Sequence, residues 1–132
     1  MLPVLLNTYY PPNAPTARSA DSVGQKISNV LSQSKSTARV AVIASGGLSH
    51  FVVDEKLYRK ALAAIKANDS GTLQGLTRGE LNSGSSDILN WVMVARMSEG
   101  LKNDWAEYYP GYRTPAGTGT GIVCQLVVIN GR

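Results

Sequence analysis

The sequence has one cysteine and one histidine in 132 residues. A lone thiol, Cys124, excludes an internal disulfide. It lies in the apolar run from Ile122 to Ile129, where a small buried side chain in a reducing compartment, the cytoplasm, is expected. No window approaches the roughly 18 uninterrupted apolar residues of a membrane span. The amino terminus lacks the charged start and longer apolar core of a secretion signal. Low-complexity tracts and internal repeats are absent too. The 13 basic residues exceed the 9 acidic ones, for a net charge of +4 and an isoelectric point near 9.4. They are scattered, with no block and no aromatic-interleaved stripe, so neither nucleic acid nor a membrane is expected as a partner.

What is present reads as a globular domain. The hydrophobic share is 43% and the charged share 17%. A domain near this size buries roughly two-thirds of its unfolded surface, so a single domain over residues 1–132 is expected.

Leu2 to Tyr10 reads as a strand that begins directly after Met1, followed by a stiff connection through Pro11, Pro12 and Pro15. Thr16 can cap a helix with Ala20, Val23, Ile27 and Val30 on one face. Val40 to Ala44 is a short β-branched apolar run, the pattern of a strand covered on both faces. Together these predict a βαβ unit with parallel strands and a right-handed crossover. Asp54 is placed to cap a second helix running to about Asn68, with Leu57, Ala61, Leu62 and Ile65 inward. A loop with a short helical turn near Thr72 to Leu76 follows. From Asp87 to about Ser98 the chain is apolar nearly all round, which predicts a buried helix, and Ile122 to Ile129 predicts a final strand. The expected fold class is α/β: a mixed, largely parallel sheet with helices on both faces.

The candidate chemistry centres on the turn after the Val40 strand. Gly46 and Gly47 permit positive φ and close approach, and His50 follows at the carboxyl end of the strand, where open α/β sheets place their sites. A near-neutral imidazole suits proton transfer, although a partly exposed loop histidine is the plainer alternative. Asp87 in the first turn of the buried helix also has a plain role, facing the positive end of the helix dipole. Trp105, Tyr108, Tyr109 and Tyr112 precede a glycine-rich segment, Arg113 to Gly121. That segment is no phosphate cradle, because no helix follows and the lysine is missing. It forms either the wall and mouth of a pocket or plain packing and a turn. A hydrolase using Ser45 or Ser49 with His50 and Asp87 lacks the Gly-x-Ser-x-Gly pattern, and adjacent Ser49 and His50 are poorly disposed for a triad.

Four segments carry a resemblance: Asn7-Thr-Tyr-Tyr-Pro-Pro-Asn13, Val42-Ile-Ala-Ser-Gly-Gly-Leu-Ser-His-Phe51, Leu81-Asn-Ser-Gly-Ser-Ser-Asp-Ile-Leu-Asn-Trp91 and Tyr109-Pro-Gly-Tyr-Arg-Thr-Pro-Ala-Gly-Thr-Gly-Thr-Gly121. In this order they resemble the carboxyl-terminal half of the class III extradiol ring-cleavage dioxygenases. The nearest likeness is to the catalytic beta subunit of the protocatechuate 4,5-dioxygenase and gallate dioxygenase group.

The resemblance implies a non-haem iron enzyme that opens catechol-type rings with O2. Its Fe(II) is held by two histidines and a carboxylate, a facial triad with open positions for both substrates. It implies that His50 is the acid/base, that Ser45, Gly46, Gly47 and Ser49 lie against substrate, and that Asp87 occupies the metal carboxylate position, where the family usually has glutamate. Both ligand histidines belong to the family's amino-terminal half. The chain is therefore expected to be the carboxyl-terminal part of a dioxygenase domain, holding Fe(II) only with the missing half. A small alpha-type subunit or a second copy is the expected protein partner, and a catalytically silent aromatic-binding module is the alternative.

Overall fold

Thr16 accepts a hydrogen bond from the Ser19 amide at 3.1 Å and starts α1, Ala17–Gln33, in a computed structural model that describes residues 2–128. The buried face of α1 is Ala17, Ala20, Asp21 and Gly24, rotated from the expected stripe. Val23 and Ile27 are half-buried and Val30 is 68% exposed. Small residues explain the rotation. A Cβ on Gly24 would lie 2.3 Å from the carbonyl oxygen of Met93, so only glycine lets α1 sit this close to the helix beneath it. Buried Asp21 stays satisfied by accepting from Gln74 Nε2 at 3.0 Å.

The second helix, α2, is Glu55–Lys66, capped by the Asp54 carboxylate accepting from the Leu57 amide at 3.0 Å. Leu57, Ala61, Leu62 and Ile65 are buried as their spacing predicts. Next come α3, Ser70–Gln74, a 3-10 turn at Ser83–Ser85, and α4, Ile88–Met97. Ile88, Leu89, Val92 and Met93 of α4 are buried, and α1 packs along it. Leu48, Tyr58, Ala61, Ile88 and Val92 are the centre of the core.

The sheet corrects the expected fold class. Among the described residues there are four α-helices and one two-stranded antiparallel sheet, β1 (Lys102–Tyr112) with β2 (Gly119–Val128). Among the described residues there is no largely parallel sheet with helices on both faces, and no βαβ unit. Leu2–Tyr10 and Val40–Ala44, both expected as strands, are irregular. Leu2, Leu5 and Ile43 are 89%, 92% and 80% exposed. The physical reason is that a β-branched run becomes a covered strand only beside neighbours that complete its ladder, and neither segment has one. In the first segment the chain bends locally instead, with the Asn7 side chain bonded to both the amide and the carbonyl of Tyr10.

The aromatic segment, expected as a pocket wall or as packing, is β1. Its sides alternate: Trp105 and Tyr109 are exposed, while Tyr108 packs on Tyr58 with ring centroids 6.0 Å apart, and Tyr112, on the Tyr108 side, is exposed at the end of the strand. Burial pushes the Tyr108 phenol up to about 12. Cys124 also departs from expectation. It is exposed, because β2 is covered on one face only and Gly121 and Val123 take that face. The final strand begins at Gly119 rather than Ile122, and Ile129 lies outside the described residues.

Candidate functional site

Three elements converge on His50. Its amide donates to the Gly84 carbonyl at 3.0 Å, tying the turn to the segment that leads into α4. Two residues earlier, the Leu48 amide donates to the Gly121 carbonyl at 3.2 Å. Ser49, fully buried, accepts from the Gly121 amide through its hydroxyl at 2.8 Å. The loop thus lies against the edge of β2, bridging Ser49 to Gly121 and Val52 to Thr118. A Cβ on Gly84 would fall 1.9 Å from the His50 carbonyl oxygen, so the crossing admits only glycine there.

The start of α4 brings Asp87 to the same place. His50 Nε2 and Asp87 Oδ2 are 3.1 Å apart although 37 positions separate them in the chain. The hydroxyl of Thr8 donates to the other carboxylate oxygen at 3.3 Å. Gly46 has φ +121, and a Cβ there would meet Asp87 Oδ2 at 2.8 Å, so the backbone of the turn is the wall against which the carboxylate rests. Trp91 and Asn90 hold that wall, donating to the carbonyls of Gly46 and Ser45 at 3.0 Å each.

His50 and Asp87 side chains keep 42% and 29% of their exposure, so solvent screens the pair. They face an open cleft of about 1040 Å³ that Tyr9, Tyr10 and Phe51 also line. A carboxylate only accepts, so in this pair the Nε2 nitrogen carries the proton. In a neutral imidazole Nδ1 is then the nitrogen left to accept another.

The four residues expected against substrate lie elsewhere. Ser45, Gly46, Gly47 and Ser49 are not among the residues lining the cleft, and the bonds made by Ser45, Gly46 and Ser49 hold the His50 turn in place. No hydrogen bond joins Ser45 or Ser49 to His50 among the described residues, and Ser49 is committed to Gly121. Sequence reasoning passed over Thr8 and Gly84, and named Arg113 only as the start of the segment read as either a pocket mouth or plain packing and a turn. Thr8 and Gly84 sit inside two of the quoted segments, and Arg113 inside a third, but each acts through a tertiary approach that no local pattern signals.

The donor set falls short of the facial triad. His50 and Asp87 alone among the cleft-lining residues are imidazole or carboxylate, and they are bonded to each other. Among the described residues no cluster of three or more His, Cys, Asp or Glu side chains is placed to hold a metal. Nor is any helix there long and apolar enough to cross a membrane. No family model, curated protein or solved structure matches this chain.

Proposed function

We propose that this chain is the carboxyl-terminal part of a class III extradiol ring-cleavage dioxygenase, acting on protocatechuate-like or gallate-like diols with O2. One observation carries the reading. His50 and Asp87, which the motif resemblance assigns to a single site, meet at 3.1 Å on the wall of an aromatic-lined cleft. In this reading the cleft holds the substrate ring against Tyr9, Tyr10 and Phe51, and His50 takes a hydroxyl proton through Nδ1. Asp87 here accepts from the imidazole at Nε2, and with the missing half present it would be the carboxylate that holds Fe(II), as the resemblance implies.

The reading requires two imidazoles for Fe(II) from outside this chain, whose one histidine is His50, and no step through iron follows from the donors here. It extends to a small alpha-type subunit or second copy as partner and to the cytoplasm as location, for which the single thiol is the support. The test is to supply the family's amino-terminal half in trans with ferrous iron and to follow oxygen uptake with protocatechuate, gallate and catechol. Uptake that disappears in His50→Phe while iron stays bound is expected. No uptake with any of the three diols sinks the enzymatic reading.

A second reading, a catalytically silent aromatic-binding module, draws on the engagement of both Asp87 oxygens by His50 and Thr8. Diol binding that needs no metal, joined to no oxygen uptake in the reconstituted protein, favours it.

A further inference from the structure

We propose that Arg113 is the specificity-determining residue of the cleft, holding the anionic substituent of an aromatic diol whose hydroxyls lie against His50. The inference rests on the site reading above. Arg113 lines the same cleft as His50 and Asp87, and among the described lining residues it is the one permanent cation. Its backbone is fixed. The Arg113 and Thr114 amides both donate to the Thr118 carbonyl, at 2.6 and 3.4 Å. The Gly117 amide closes the turn on Thr114 at 3.0 Å, and the Val53 amide ties Gly117 to the strap beyond His50 at 2.9 Å.

Its guanidinium, by contrast, has no partner among the described residues. Among the described residues Arg59 is paired with Glu55 and Arg96 with Glu99, whereas no ion pair or side-chain hydrogen bond engages Arg113. A fixed stem carrying an uncommitted planar fork is suited to bidentate contact with a carboxylate. Asp87 supplies the orientation. Its negative charge repels an anionic substituent from the His50 side of the cleft, while Arg113 attracts it, so an anionic ring enters with its hydroxyls toward the imidazole. Selection by Arg113 is then a preference for carboxylated over neutral diols.

The test is titration of the full chain, without metal, with 3,4-dihydroxybenzoate, catechol and benzoate. For the parent chain, 3,4-dihydroxybenzoate is expected to bind about tenfold more tightly than catechol, the scale of one charge-assisted contact in a wet site. Arg113→Met should remove that gap, leave catechol affinity unchanged, and leave the melting temperature where it was. Arg113→Lys should keep part of the gap, and added salt should narrow it in the parent chain. A gap that survives in Arg113→Met overturns the proposal and leaves the site reading standing. Benzoate binding as tightly as 3,4-dihydroxybenzoate, and lost in Arg113→Met, keeps the anion contact and overturns the diol reading. Binding of none of the three overturns both.

Discussion

Two neighbouring stretches of the chain have opposite fates. Val40–Ala44 is apolar and β-branched, yet it runs exposed beside no partner, with Val40 57% and Ile43 80% accessible. Gly46–Val52 mixes two glycines, Ser49 and His50 with Leu48, Phe51 and Val52, yet it is bound at nearly every step, to Gly84, Gly121, Trp91 and the edge of β2. Hydrophobic content does not order a segment by itself. Burial needs a surface of matching shape, and here that surface is offered to the turn, by glycines whose missing side chains let backbones touch.

The comparison can be broken most severely at Gly84. Gly84→Ala puts a Cβ on the His50 carbonyl, and a loss of about 3 kcal/mol in urea unfolding is expected, since nearby backbone rather than a flexible side chain must move. Ser49→Ala leaves the Gly121 amide buried without its acceptor. It should cost about 2 kcal/mol, with faster amide exchange at Gly121 as the specific sign.

Glu80 ties the turn at Thr77, a few residues before Gly84, to α2. Hydrogen bonds from Lys60 first, then from the Thr77 amide and hydroxyl, hold its carboxyl down at about 2, against an ordinary 4.5. A depressed acid contributes its stability above the ordinary value and loses it as pH falls toward the depressed one. Unfolding free energy should therefore drop between about pH 4.5 and 2, and Glu80→Gln should flatten that part of the profile. Because the group is a third exposed, about 1 kcal/mol is the expected size after screening. Ile43→Ser is the control in the unanchored stretch, with a change within about 0.5 kcal/mol. A larger loss there would show that Val40–Ala44 is held after all.

The parts of this architecture legible in the sequence are those whose causes are local. Asp54 and the Leu57, Ala61, Leu62 and Ile65 spacing define α2 within one stretch of chain, and the structure keeps every one of those assignments. Thr16 likewise marks the start of α1, whereas its buried face depends on how closely Gly24 meets Met93, a fact about another helix. Strands fared worst, because pairing is a property of two segments. Leu2–Tyr10 and Val40–Ala44 have strand composition without partners, while β1 carries Pro110 and still pairs, opposite Gly121. At the site, motif likeness singled out His50 and Asp87, which the fold brings together. Ser45, Gly46, Gly47 and Ser49 belong to the scaffold of the turn, and Thr8 and Arg113 reach the site from distant elements.

Gly121 is where the hairpin and the turn are joined. Its amide is held by Ser49, its carbonyl by Leu48, and the Tyr108 ring occupies the space a side chain would fill. A slip of one residue between β1 and β2 would move this single peptide unit and carry the imidazole away from its carboxylate. The ribbon, mostly in contact with water, thus works as the gauge that sets the spacing of His50 and Asp87.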